Sequence, residues 1–395
     1  MNLYYKLLFP VCLCSAVSLM GQGSWTLKSP YGGGAVSYAA GFSIGTKGYI
    51  GSGSNGNGFW EWDQASNVWT QKMNFGGIPR IGTIGFSVGN KGYFVMGYDN
   101  PVYLNDVWEY DPLANNWIQK ANFPGAARGY GNGFSIGTKG YVGLGKNTAY
   151  HYDFWEYDPA TDTWTQKAIF SGGKRAFAAG FSIGTKCYIG TGLDSVVGMM
   201  NDLWEWDQLS NTWSQKAYFG GMARFSATGF SIGTKGYIGT GYSSVVSADF
   251  WEYNPAANAW SQITSFTGAA RFNAVGFSIG TKGYVGTGSS IMPYADFYEL
   301  DPTAIGIDDH STATMDVTVF PNPVHESATL IVHGLAENIP VKILFYDLFG
   351  KVLSLETNRN SESFTFCRGN LPAGTYLYQV ISDSKIIAQG KLLFD

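Results

Sequence analysis

GFSIGTKGYIGTG, residues 229–241, opens like a phosphate loop, with glycines at the spacing of a nucleotide cradle and a lysine among them. A phosphate cradle needs its glycines to open a helix, whereas here they sit between two stretches of strand character and no helical pattern follows. The phrase also recurs. GFSIGTKGYI begins at Gly41, GFSVGNKGYF at Gly85, GFSIGTKGYV at Gly133, GFSIGTKCYI at Gly180 and GFSIGTKGYV again at Gly276, so the six copies start 44, 48, 47, 49 and 47 residues apart. Self-similarity at that period is the mark of propeller blades or solenoid turns, and it makes the phrase scaffold.

Each copy carries further fixed words. After a variable stretch come FWEWD (Phe59–Asp63), VWEYD (Val107–Asp111), FWEYD (Phe154–Asp158), LWEWD (Leu203–Asp207), FWEYN (Phe250–Asn254) and FYELD (Phe297–Asp301). A tryptophan follows in the first five units, at Trp69, Trp117, Trp164, Trp213 and Trp260. Read for period, one unit gives four strands. RFSATGFSI (Arg224–Ile232) is the inner one and GYIGTG the second; FWEYN is the third, with Phe250, Glu252 and Asn254 on one face and Trp251 and Tyr253 on the other; WSQI is the outer one. GTKG supplies a tight hairpin and PAANA a proline-initiated turn. Small residues such as Ala227 and Gly229 suit a crowded axis, and the tryptophans suit the wide outer gaps. The sixth unit stops at FYELDPTAIGIDD without its tryptophan strand, while SWTLK (Ser24–Lys28) stands alone before the first unit. The N-terminal strand is therefore expected to join the last unit and close the ring, removing its exposed edges.

Over residues 24–303 the pattern resembles the kelch repeat, which has an arginine before the inner strand, a paired glycine after the second, a tyrosine in the third and a tryptophan in the fourth. The paired glycine is spread here to GSG (Gly51–Gly53), GLG (Gly143–Gly145) or GTG (Gly239–Gly241), and to VMG in the second unit, which marks a variant of the repeat. The resemblance implies an all-β, six-bladed kelch-type β-propeller spanning residues 22–303.

Composition agrees with that class. The 395 residues are 45% hydrophobic and 16% aromatic, and the 53 glycines lack a collagen period. Charged residues are 14% and the formal net charge is −4, so neither nucleic acid nor an anionic lipid surface is an expected partner. Residues 1–21, within MNLYYKLLFPVCLCSAVSLMGQG, read as a secretory signal peptide, and no other segment is apolar enough to span a bilayer. Cys12 and Cys14 leave with the signal. Cys187 and Cys367 remain far apart in the chain, and no disulfide framework is implied. Cys187 fills a slot that is glycine in the other copies and reads as a tolerated turn substitution. The expected assembly is a monomer.

Residues 304–315 read as a polar linker and residues 316–395 as a small β-sandwich. The words VFPNP (Val319–Pro323), YDLFGKVL (Tyr346–Leu353), LPAGTYLYQV (Leu371–Val380) and GKLLF (Gly390–Phe394) resemble the type IX secretion sorting domain. That resemblance implies Sec-dependent passage of the inner membrane, folding in the periplasm and export by the type IX machinery, to be secreted or held at the outer cell surface. It places the sorting signal on Pro321, Asn322, Pro323, Asp347, Gly350, Gly374 and Lys391.

Little in the chain reads as chemistry. Of four histidines, His310, His325 and His333 lie in the linker or tail and His151 is alone among the repeats. That leaves no histidine-rich metal site, no nucleophile–base–orienter set and no cofactor. Glu61, Glu109, Glu156, Glu205, Glu252 and Glu299 recur, as do Arg80, Arg128, Arg175, Arg224 and Arg271, and such recurrence predicts ion pairs and hydrogen bonds from blade to blade. The alternative is an arginine ring at one mouth of the channel, holding an acidic sugar or a carboxylate, with the first unit lacking its arginine. Function is expected where copies differ, on the face bearing the loops between second and third strands. With the arginines, the candidate ligand contacts are Tyr98, His151, Asp194, Tyr242 and Tyr294. A glycan or a surface protein is the expected partner. The enzymatic alternative is a sugar isomerase resembling the sialic acid mutarotases on kelch propellers, acting through Arg128 and Arg175; a structural adhesion component is the third reading.

Overall fold

The computed structural model describes residues 23–304, 316–333, 335, 341–347, 352–358, 363–369, 371–382 and 385–395. The expected signal peptide, nearly all of the linker and Gly350 lie outside these residues. Every regular element among the described residues is a strand, as the composition predicts. The chain divides into two compact units, Gln22–Gly306 and Ile307–Asp395.

The repeats build six four-stranded antiparallel sheets. In the fifth, Thr228–Ile232 pairs with Lys235–Gly239, which pairs with Phe250–Asn254, which pairs with Ala259–Ile263. The hairpin between the first two strands turns on Gly233 and Thr234. Gly233 has φ 57° and Thr234 does not share a positive φ, the pattern of a type II′ turn, whose twist matches the strands it joins. The inner strand starts at Thr228, not at Arg224 as the alternation suggests. Ser226 has φ 54°, and its amide donates to Phe177 O in the preceding unit and not to its own sheet.

The third strand alternates as predicted, and each face meets a different neighbour. Phe250 packs with Phe230, Tyr237, Val285 and Leu300, whereas Tyr253 packs with Phe181, Tyr188 and Phe219. Apolar burial is thus made between successive units, and no unit holds a core of its own. Six clusters of this kind occur, the last joining Val275, Phe277, Tyr284 and Phe297 of the sixth unit to Val36, Ile50 and Trp62 of the first. A backbone series follows the same path. Gly53 N donates to Arg80 O, Gly97 N to Arg128 O, Gly145 N to Arg175 O, Gly192 N to Arg224 O, Gly241 N to Arg271 O, and Gly288 N to Val36 O. Ser24–Lys28 pairs with Phe297–Asp301, the third strand of the sixth unit. Its Trp25 Nε1 donates to Thr264 O at 3.1 Å, as Trp260 Nε1 donates to Ala217 O at 3.2 Å one unit earlier.

Glycine is required where an aromatic ring from the paired strand lies across the backbone. A Cβ on Gly239 would stand 1.9 Å from Phe250 Cδ2, against a ring buried on every side. Gly239→Ala is therefore expected to cost about 1–3 kcal/mol through overpacking, read as a lower denaturant midpoint with an unchanged m-value.

The C-terminal compact unit, Ile307–Asp395, has two sheets enclosing one core. Asp316–Phe320, Ser327–His333 and Ser363–Cys367 form the first, and Val352–Asn358, Val341–Tyr346, Gly374–Ser382 and Lys385–Phe394 the second. Leu330, Val332 and Phe366 of the first pack with Ile343, Phe345, Val380 and Leu392 of the second. Along Gly374–Ser382 burial alternates residue by residue, the period of a strand with one covered face.

Candidate functional site

The five recurrent arginines do not line an opening. Arg80, Arg128, Arg175, Arg224 and Arg271 are 0–3% exposed, each paired with the aspartate that precedes the FWEYN-type word of its own sheet: Asp106, Asp153, Asp202, Asp249 and Asp296. Arg224 shows the arrangement. Its Nη2 donates to Asp249 Oδ2 at 2.8 Å and its Nη1 to Thr240 O at 2.8 Å, its Nε donates to Met222 O at 3.0 Å, and its Cζ lies 5.0 Å from the Phe219 ring centroid. Trp251 Nε1 donates to the same carboxylate at 2.8 Å. Four of the five N–H groups of this guanidinium are thus taken up inside its own sheet, and the group is buried away from any ligand. The recurrent glutamates are also tied within one sheet: Tyr49 OH donates to Glu61 at 2.7 Å, Tyr188 OH to Glu205 at 2.7 Å and Tyr237 OH to Glu252 at 2.7 Å. Both expectations drawn from the repetition, a ligand-holding ring and blade-to-blade ion pairs, give way to ties inside each sheet.

The remaining candidates sit apart in separate loops. Tyr98 OH donates to Asn100 Oδ1 at 2.8 Å, and Asp194 Oδ1 accepts the Val196 and Val197 amides at 2.7 and 3.0 Å, closing its own loop tip. His151 Nε2 lies 3.1 Å from Asn147 Oδ1, and burial, with the Arg128 cation nearby, holds its imidazole below the usual range, in the neutral form at pH 7. The Tyr294 ring lies 4.5 Å from Arg271 Cζ. Tyr242 reaches a larger group through one intermediate, with its ring 5.4 Å from Phe225, whose own ring lies 5.9 Å from Phe177.

That group was not singled out by motif. Two residues after each arginine, and two after Val36 in the first unit, stand Tyr38, Gly82, Tyr130, Phe177, Ser226 and Asn273. All six have φ between 54° and 64°. For the five non-glycine residues this left-handed backbone costs roughly 1–2 kcal/mol each, and it persists because each amide after Tyr38 is claimed by the unit before it. Gly82 N donates to Tyr38 O, Tyr130 N to Gly82 O, Phe177 N to Tyr130 O, Ser226 N to Phe177 O and Asn273 N to Ser226 O. The turn lifts these side chains off the ends of the inner strands, where they line a cavity of about 120 Å³. One side is aromatic: Tyr38 and Tyr130 rings lie 5.9 Å apart, and Tyr130 and Phe177 4.5 Å apart. Gly82 makes room for this, since a Cβ there would meet the Tyr130 ring at 2.5 Å. On the other side Ser226 Oγ and Asn273 Nδ2 are buried without a hydrogen-bond partner in the protein. In the sequence these residues form one of several unlike columns between the arginine and the repeated GFSI phrase, Y/G/Y/F/S/N, and nothing there sets it apart from its neighbours.

In the second unit of the chain, the FPNP segment meets the last strand. Asn322 Oδ1 accepts the Leu393 amide at 2.9 Å, Val324 N donates to Leu393 O at 2.7 Å, and His325 Nδ1 lies 2.8 Å from Asp395 Oδ1. Pro321 and Pro323 flank that asparagine on the exposed surface. Gly374 opens its strand at φ 150°, Lys391 is exposed opposite Leu377, and Asp347 lies half-buried at the end of Val341–Tyr346.

Residues 318–393 match the secretion system C-terminal sorting domain. The protein is accordingly exported through the type IX secretion system, to the cell surface or into the medium. The sorting domain covers only the tail, and no curated protein matches the sequence. Among solved structures, that of YjhT is similar at 16% identity with a TM-score of 0.60, over 71% of this chain and 96% of that one. At such identity the likeness concerns the fold, which is propeller-like.

Proposed function

We propose that the Gln22–Gly306 unit is a six-bladed kelch-type propeller, closed through its N-terminal strand, that acts outside the cell as a binding module with the mouth cavity on its loop face as the binding site. Closure is supported by the Gly288–Val36 link and by Trp25 standing where an outer-strand tryptophan belongs. In this reading residues 1–21 deliver the chain to the periplasm as a signal peptide, and residues 304–315 link the propeller to the sorting tail.

The observation that carries the binding role is the strained, unlike column around the mouth, with polar atoms left unpaired among aromatic rings. Backbone strain held at one place by surrounding structure is typical of ligand sites. Nearby, the loops of the fourth to sixth units present exposed Val196, Val197, Val245, Ile291 and Met292, an apolar rim suited to contact. The sugar isomerase reading needs a cation and a base that reach the ligand, and Arg128 and Arg175 are buried against Asp153 and Asp202.

Labelled full-length protein is expected to bind the outer surface of producing cells or a component of it. Tyr242→Ala on the loop face should weaken that binding about tenfold or more, a change of about 1.4 kcal/mol, while Leu209→Ala, an exposed turn residue of the opposite face, leaves it unchanged. Equal loss in both variants, or in neither, would place the function elsewhere.

A further inference from the structure

The two sides of the mouth differ in chemistry, and we infer that it takes a neutral hexopyranose unit, the end of a glycan chain. This rests on the loop-face binding role proposed above and names the class of ligand for the same site. The aromatic side offers Tyr38, Tyr130 and Phe177, all half-buried, with the Tyr130 and Phe177 rings inclined by only 32°. The C–H face of a pyranose is apolar and weakly positive, and it packs against the electron-rich face of such rings.

The opposite side supplies what an apolar ligand cannot use. Ser226 is 7% exposed, and neither its Oγ nor Asn273 Nδ2 has a partner in the protein. Both atoms are closed to solvent in this structure, and a side-chain rotation would bring them to a sugar hydroxyl, Asn273 Nδ2 as donor and Ser226 Oγ as donor or acceptor. A leucine or phenylalanine from a partner protein would bury both groups unpaired, the situation in which a site rejects a ligand lacking the hydroxyl most strongly.

Charge decides against acidic sugars. The residues lining the cavity are tyrosine, phenylalanine, alanine, glycine, threonine, serine and asparagine, and the arginines two residues away are turned into their own sheets. A carboxylate entering the mouth would lose water and gain no cation. The cavity, about 120 Å³, is of the scale of one ring, leaving any further sugars over the loops.

The test titrates the full chain with the methyl pyranosides of glucose, galactose and mannose, and with methyl glucuronide and the methyl glycoside of N-acetylneuraminic acid, by ligand-observed NMR. At least one neutral pyranoside should saturate. Phe177→Ala should raise its Kd about tenfold or more, and Leu209→Ala should not change it. Ser226→Ala should raise Kd several-fold while leaving Tm unchanged or higher, since a buried unpaired hydroxyl is removed; a structural serine would instead lower Tm. Saturation by the acidic glycosides alone overturns the neutral class. Binding of cells through Tyr242 with no response to any glycoside overturns the sugar but keeps the loop-face role, and absence of both overturns the two together.

Discussion

Replacing Arg224 with alanine is expected to lower the unfolding free energy by about 1.5–3 kcal/mol, because it removes charge-assisted hydrogen bonds from a buried position and leaves the half-buried Asp249 without its counter-charge. The arginine is 1% exposed and holds together four separate pieces of backbone and side chain: Met222 O, Thr240 O, Asp249 and the Phe219 ring. Arg224→Lys keeps the charge but not the planar fork, so it should recover only part of the loss. Arg224→Ala combined with Asp249→Ala should cost less than the two single changes added, by about 0.5–3 kcal/mol, since each alone strands the other's charge. Burial works to raise the Asp249 carboxyl, but the Arg224 pair and the Trp251 N–H outweigh it and hold the group below the usual range. A folded-state value under the unfolded one, about 3.9, means the contribution is present above that pH and is lost as pH falls through the lower value. Guanidinium unfolding at pH 7 and pH 3 reads both effects. The loss on Arg224→Ala should be large at pH 7 and smaller at pH 3, and a change under about 1 kcal/mol at pH 7 would show that the clamp does not hold the end of the sheet.

That clamp shows where repetition informs and where it misleads. The period, the four strands of each unit and the alternation in FWEYN were legible because each repeats under one physical demand, a strand covered on both faces by its neighbours. The arginine's partner was not read, although its trace is in the sequence. Asp106, Asp153, Asp202, Asp249 and Asp296 each stand one residue before the FWEYN-type word, and the first unit lacks arginine and aspartate together, with Val36 and Gly58 in their places. Joint absence in one copy identifies a pair better than joint presence in five, since everything in a repeat is jointly present. In the first unit Tyr31 takes the place of the phenylalanine beneath the arginine, and its hydroxyl donates to Ile50 O at 3.3 Å. The mouth was hidden for a different reason. RFSATGFSI alternates well enough to read as one strand, and nothing local reveals that Ser226 turns left-handed, because the bond that holds it there comes from Phe177 O, one unit earlier. Position in a strand is a local property, whereas that turn is imposed by the neighbouring sheet.

Export should depend on both ends of the sorting domain at once. Removing residues 316–395 is expected to leave the protein in the periplasm, folded and intact, with none in the medium or at the surface. The finer expectation is that loss of the last few residues does almost the same. Leu393 is bonded through its amide to Asn322 Oδ1 and through its carbonyl to Val324 N, so deleting Leu392–Asp395 takes away the partner strand of the FPNP segment and two buried side chains, Leu392 and Phe394. Asn322→Ala removes one hydrogen bond and leaves the strand paired, so its defect should be partial. Fractionation followed by immunoblotting against the Gln22–Gly306 unit separates these cases. Wild-type amounts of the 316–395 deletion outside the cell would overturn the role of the tail. Normal export of the Leu392–Asp395 deletion would instead mean that the machinery reads the FPNP segment without its partner, making the signal a linear stretch and not a folded surface.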